Sequence, residues 1–299
     1  MSLKGQVALG CGRGIALQFG SAGATVYITS LRPEDEDETV KSVKNKLPEL
    51  EDVAQEITKR GGQGIAVYCD HTKSEQVAQL FEKISQEQNG RLDILVNNVF
   101  SAVSKMIKVM HQKFFDLPED VYDICNDAGL RGHYICTRHA AKLMVPRRSG
   151  LIVEIGSLGG ISYVYNTAYG INKAATDRLA ADVGLELKEY GITSVSLCSG
   201  PVLSELYSPE LGLIQTKKKD VVQKYYQSGE TLEFQGKCLV AFASDPNRFE
   251  RTCHILLTQE LAKQYGIFED DGRQPTCNVA DKQLPLINAL NQIRSVKQY

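Results

Sequence analysis

Six short apolar runs, Val7–Leu9, Thr25–Thr29, Ile65–Tyr68, Leu92–Val96, Leu151–Ile155 and Thr193–Leu197, alternate with amphipathic segments of helical length. Those segments are Ile15–Ala22, Leu50–Arg60, Ser74–Gln88, Pro118–Met144 and Ala168–Tyr190. Strands this apolar need both faces buried, and a parallel sheet covered by helices on each side buries them. Right-handed crossovers then give an α/β protein with a doubly wound parallel sheet. We expect a single domain over residues 1–266 and a less regular tail over 267–299. Arg32–Pro48, with the acid run Glu34–Glu38 followed by Lys41, Lys44 and Lys46, reads as a solvated insert.

The composition excludes several function classes. Lys and Arg number 34 against 36 Asp and Glu, a net charge of −2, so no basic field points to nucleic acid. No stretch approaches the ~20 apolar residues of a membrane span. The eight cysteines stand singly with no Cys-x-x-Cys pair, as buried thiols in a reducing compartment do. The first residues lack an apolar core with a small-residue cleavage site, so an intracellular, cytoplasmic protein is expected.

The segment Tyr169-Gly-Ile-Asn-Lys173 carries the strongest chemical signal. Positions four apart share one helix face, so the phenol and the ammonium can meet in one site. A nearby ammonium favours phenolate, which should lower the Tyr169 pKa towards the range a general acid/base needs. Ser157 sits just past the run Leu151–Ile155, at the end of the strands where open α/β sheets bind ligands.

Ile155-Gly156-Ser157, Tyr169-x-x-x-Lys173, Leu95-Val96-Asn97-Asn98 and Cys69-Asp70 together resemble the short-chain dehydrogenase/reductase superfamily, over about residues 4–266. The resemblance implies a Rossmann-type fold and a nicotinamide cofactor. It implies that Tyr169 exchanges a proton with a substrate carbonyl or alcohol, that Ser157 holds the oxygen, and that Lys173 assists Tyr169 and binds the ribose. Asp70, Asn97 and Asn98 are expected near the adenosine half. After the sixth apolar run, Val202 and Ser204 are expected near the nicotinamide and the phosphates, with a substrate cover over about 205–234. A homodimer or homotetramer is expected through the helices around residues 118–144 and 168–190.

Two positions depart from the pattern. The family's catalytic Asn falls on Gly129 of Gly129-Leu-Arg-Gly132, which has no side chain to serve; Asn126 lies one turn earlier on the same helix. The glycine-rich phosphate loop is short by about six residues. In one register Gly10 and Gly12 are its last two glycines; in another Gly10 is the first and Arg13-Gly14 the middle pair. Such a loop could hold the cofactor in a rearranged form through Gly10, Gly12 and Arg13, hold it poorly, or lack residues of a longer form.

Cofactor choice rests on Thr29-Ser30-Leu31-Arg32, where no acid ends the second strand and Arg32 follows. That favours NADP(H), with NAD(H) left open, against the counterweight of Glu34–Glu38. The expected activity is reduction of apolar ketones or aldehydes; a catalytically weak binding or oligomeric module is the alternative. No metal is expected: His133, Cys136 and His139 span nearly two helical turns without a fourth ligand and read as one side of a packed helix. In the tail, Leu284–Ile293 has the spacing of a short amphipathic helix that packs on the core or touches a membrane surface.

Overall fold

The computed structural model describes the chain except Cys11, Asp37, residues 39–40, 42–46, 110–111, 205–228 and 297–299, and the side chains of Ile107 and Asn278. Much of the acidic insert and most of the expected substrate cover lie outside the described residues.

Seven parallel strands form one sheet in the order β3-β2-β1-β4-β5-β6-β9. They are β1 Val7–Gly10, β2 Thr25–Ser30, β3 Gln63–Tyr68, β4 Ile94–Asn97, β5 Gly150–Ile155, β6 Ile192–Cys198 and β9 Ile255–Leu257. A two-residue parallel pair, β7 Val202–Leu203 with β8 Glu230–Thr231, stands apart from it. The helices are α1 Arg13–Ser21, α2 Leu50–Lys59, α3 Ser74–Glu87, α4 Val103–Val109, α5 Asp120–Asn126 and α6 His133–Met144. They continue with α7 Thr167–Leu187, α8 Leu232–Ser244, α9 Thr258–Tyr265 and α10 Asn278–Arg294.

The apolar strands are buried on both faces, as their composition requires. Ala8, Val26, Ile28, Ile94 and Val96 pack under α1, α2 and α8 with Phe19, Ile57, Phe234 and Phe242. Their neighbours Val7, Leu9, Tyr27, Leu95 and Ile152 face the other way, towards Val77, Phe81 and Ile84 of α3 and Cys136 and Met144 of α6. Alternation with a period of two divides the strand residues between two cores.

Some elements differ from the sequence reading. The segment 118–144 is not one regular helix: a π-helical turn at Asp127–Gly132 separates α5 from α6. Strand β9 adds a seventh strand, too short to read from three residues. The tail helix α10 begins earlier than expected and packs on the sheet, burying Ala280 and Ile287 with Leu158, Ile255 and Leu257. Asn291 meets the edge strand with both ends of its amide, accepting from the Ile255 amide at 2.7 Å and donating to its carbonyl at 3.0 Å. An outer strand otherwise leaves such groups unpaired. No helix among the described residues is long and apolar enough to cross a membrane.

The described connection from β1 to α1 has Gly10 as the last residue of the strand and Gly12 as the helix N-cap. Gly10 has φ +94°, where a side chain is strained, and a Cβ there would lie 2.1 Å from the Val96 carbonyl oxygen. Because α1 starts at Arg13, Gly14 is already helical, which agrees with the first of the two registers. A Cβ on Gly14 would lie 2.0 Å from the Leu232 carbonyl oxygen, so α1 and α8 touch backbone to backbone.

Gly14→Ala therefore tests which effect wins. Helix propensity alone favours alanine by about 1 kcal/mol, but the overlap with the α8 backbone forces the helices apart. We expect a net loss of about 2 kcal/mol or more in urea unfolding; a stabilised variant would show that the helices do not approach this closely.

Candidate active site

The carboxyl ends of β1, β4, β5 and β6 open onto a cavity of about 460 Å³. Its lining contains Gly12, Arg13, Asn98, Ser157, Tyr169, Lys173, Val202 and Ser204 from the sequence-derived set. Gly10, Arg32, Asp70 and Asn97 do not line it.

Each catalytic candidate is held by local structure. Ser157 follows β5 and caps the 3-10 turn Leu158–Gly160, accepting a hydrogen bond from the Gly159 amide at 3.1 Å. Its hydroxyl also interacts with the Tyr169 phenol, which by itself favours phenolate. Asn166 caps α7 by accepting from the Tyr169 amide at 3.0 Å, so the tyrosine sits in the first turn of its helix. One turn on, the Lys173 ammonium donates to the Ile155 carbonyl at 2.9 Å, tying α7 to the end of β5.

The electrostatics correct one expectation. Burial raises the Tyr169 pKa above its ordinary value of 10 and outweighs the Ser157 hydrogen bond. Burial likewise lowers the Lys173 pKa, although Cys198, Asp177 and Glu154 oppose it. Desolvation penalises phenolate and ammonium alike, and at these buried positions it is the largest influence on both. Behind Lys173, burial lifts Asp177 to about 6 despite a 2.5 Å hydrogen bond from the Ser196 hydroxyl.

Aromatic rings complete the pocket. The Phe100 ring lies edge-on to Tyr169 with centroids 5.7 Å apart, and Tyr165 meets Tyr169 in the same way at 5.1 Å. Tyr165 has φ +61°, an uncommon backbone conformation in a loop that lines the cavity. The Lys173 ammonium lies 5.1 Å from the Phe100 centroid. The sequence reading missed Phe100 because only polar residues were sought at that loop.

The candidates outside the cavity have structural partners. Asn97 is buried and donates to Glu154 at 2.7 Å and to Thr137 at 2.8 Å. Its side chain joins the sheet to α6. Glu154 in turn lies 2.8 Å from His133 Nδ1, while His133 Nε2 lies 3.0 Å from the Val99 carbonyl. Asp70 accepts from the Thr72 amide at 2.9 Å and hydroxyl at 2.8 Å, as a turn-capping residue does. Arg32 is exposed just beyond β2. Asn126 donates to the Tyr122 carbonyl of its own helix at 2.7 Å and does not line the cavity. Cys136 contacts His71 at 3.4 Å and His139 stacks on Phe81, so His133, Cys136 and His139 each have separate partners.

A dinucleotide fits part of this arrangement. The first turn of α1 has no side-chain cap and no acidic residue, and Gly12, Arg13, Gly14 and Ile15 face the cavity. Helix N-terminal amides beside an arginine are a donor set for a pyrophosphate. A Cβ on Gly12 would lie 2.9 Å from Asn98 Nδ2, so any larger residue here would have to shift the Asn98 side chain. These residues fit a pyrophosphate, while Arg32 and Asp70, expected from the sequence to meet the adenosine half, lie beyond the cavity.

Comparison with known proteins agrees with this geometry. Residues 7–250 match a family model described as enoyl-(acyl carrier protein) reductase. The chain is 41% identical to human dehydrogenase/reductase SDR family member 1 over 267 residues, covering 88% of this chain and 81% of that protein. The mouse protein of the same name is 40% identical over 280 residues, 91% and 85% of the two chains. Among solved structures, a 7α-hydroxysteroid dehydrogenase complexed with NADH and 7-oxoglycochenodeoxycholic acid superposes with TM-score 0.68 at 23% identity, covering 86% and 93%. A dehydrogenase structure from Xanthomonas campestris gives 0.71 at 18% identity, covering 91% and 94%. With the sheet, the Ser157–Tyr169–Lys173 cluster and these relatives in agreement, the chain belongs to the short-chain dehydrogenase/reductase family of oxidoreductases.

Proposed function

We propose that this oxidoreductase is an NADP(H)-dependent carbonyl reductase for apolar ketones or aldehydes. The carrying observation is the convergence of Ser157, Tyr169 and Lys173 in a cavity whose other walls include Phe100, Val103, Met106, Leu158 and Val279. An apolar wall with a few convergent hydroxyls suits a bulky substrate with one polar handle. The bound cofactor supplies the hydride. Ser157 orients the carbonyl oxygen, Tyr169 gives it a proton, and Lys173 stabilises the phenolate that remains. Arg13 and the α1 N-terminus would hold the phosphates, Val202 and Ser204 the nicotinamide end, Lys173 the ribose, and Arg32 a 2′-phosphate.

The raised Tyr169 pKa supports the reductive direction in particular. A phenol that keeps its proton through neutral pH is a ready general acid and a poor resting base. The reading extends to a cytoplasmic setting and a homodimer or homotetramer, in which exposed Tyr134 on α6 and Ile171 on α7 would be covered.

Tyr169→Phe tests the chemistry. It should abolish NADPH oxidation with 4-nitrobenzaldehyde or cyclic ketones while NADPH binding, followed by nucleotide fluorescence, persists. Unchanged turnover, or no turnover by the parent chain with any of these probes, would reject the proposal. Profiles of rate against pH test the proton inventory. Because the Tyr169 pKa is raised, reduction should stay flat through neutral pH and fall only on the alkaline side, whereas alcohol oxidation should rise steadily with pH. An oxidation plateau near neutrality would contradict this.

Cofactor choice is tested at Arg32. Arg32→Gln should lower the ratio of NADPH to NADH affinity by about tenfold, the scale of one charge-assisted contact to a phosphate. An unchanged ratio would move the 2′-phosphate away from this residue.

A further inference from the structure

Gly129 and Phe100 are far apart in sequence and form one feature of the site. Gly129 lies in the π-helical turn between α5 and α6, where the family pattern puts a catalytic asparagine. A Cβ built on it would lie 3.0 Å from Phe100 Cδ2 and 3.2 Å from Asn172 Nδ2. Even an alanine would press on the phenylalanine ring, and an asparagine would have to displace it. The volume in front of the π-turn is therefore occupied by an aromatic ring delivered from the loop after β4.

That ring has three neighbours of chemical interest. The Lys173 ammonium lies 5.1 Å from its centroid, within the range of a cation–π attraction. Tyr169 meets it edge-on. Its own backbone is anchored next door, where the Val99 carbonyl faces buried His133 and, through it, Glu154. A buried ammonium with one carbonyl acceptor gains from an aromatic partner, which attracts the cation and carries little hydration to strip away.

We propose that Phe100 is a positioning residue of this active site: its ring fills the volume left by Gly129 and holds the Lys173 ammonium and the Tyr169 ring in register. The role rests on the carbonyl-reductase reading for its kinetic consequence, but the contact with Lys173 is independent of any substrate.

Substitutions at Phe100 and Gly129 separate an aromatic role from simple filling. Phe100→Leu keeps a large apolar side chain and removes the π face, and it should lower kcat with NADPH and 4-nitrobenzaldehyde by about tenfold, with the KM for NADPH changing far less. Phe100→Tyr restores the face and should recover most of that loss. In the cofactor-free chain labelled with 13C at the lysine ε carbons, the Lys173 ε-CH2 signal, assigned through Lys173→Arg, should be shifted upfield by the ring and return towards the ordinary position in Phe100→Leu. Gly129→Asn should impair turnover in the parent chain and be tolerated once Phe100 is replaced by alanine.

Equal kcat in the Leu and Tyr variants, an ε-CH2 signal unmoved by Phe100→Leu, or the same penalty for Gly129→Asn with and without Phe100 would each overturn the proposal. If the parent chain reduces no carbonyl, the functional reading fails, and the ε-CH2 signal alone then decides the Phe100 contact.

Discussion

The buried ammonium of Lys173 is the constraint around which the site is arranged. A charge withdrawn from water is costly unless its surroundings replace the lost hydration. Here the replacement comes from several elements at once: the Ile155 carbonyl at the end of β5, the Phe100 ring after β4, and the nearby carboxyl groups of Asp177 and Glu154. Asp177 lies one turn further along α7, and the others come from distant parts of the sequence. The ammonium is therefore stable only when β4 and β5 pair as neighbours and α7 lies against their carboxyl ends, and the doubly wound order of the sheet meets that requirement.

Burial has a second consequence for the same group. Desolvation moves the Lys173 and Tyr169 pKa values in opposite directions, each towards its neutral form. An i, i+4 spacing shows that two groups can meet, but it carries no information about the dielectric in which they meet. The expectation of a lowered tyrosine pKa took in only the attraction. Burial adds the penalty and favours the protonated phenol.

What the sequence disclosed follows the same division. Elements fixed by local pattern were legible: six strands of the sheet, the covering helices α1, α2, α3, α6 and α7 though not α8, and the Ser157–Tyr169–Lys173 cluster. Features set by long-range fit were not. Phe100 looked like one more apolar residue in a loop, and its meaning depends on the missing side chain at Gly129 across the cavity. Glu154 carried a signal that went unused, an acid inside the otherwise apolar run Leu151–Ile155, which requires a buried partner. That partner, His133, had been read within the His133–His139 helix instead. Asn97 is a different case: its motif is recognisable in the sequence, and its side-chain amide donates to Glu154 and Thr137.

Under the proposed function, the abbreviated phosphate loop would change how an anion is held more than where. A long glycine arch surrounds a pyrophosphate with backbone amides, whereas β1 runs into α1 after only residues 11 and 12. What remains is the helix N-terminus and the Arg13 guanidinium, whose pKa burial lowers and nearby Glu233 raises. Glu233 would oppose a bound phosphate if its charge were uncompensated. Instead its carboxylate accepts two hydrogen bonds from Arg60, at 2.7 and 3.2 Å, and one from Gln18 at 2.6 Å. These contacts join α1, α2 and α8 and offset the acid close to Arg13. The charge balance at the mouth of the loop thus depends on a residue two helices away, and the loss of backbone donors is met by electrostatics built into the packing of the core.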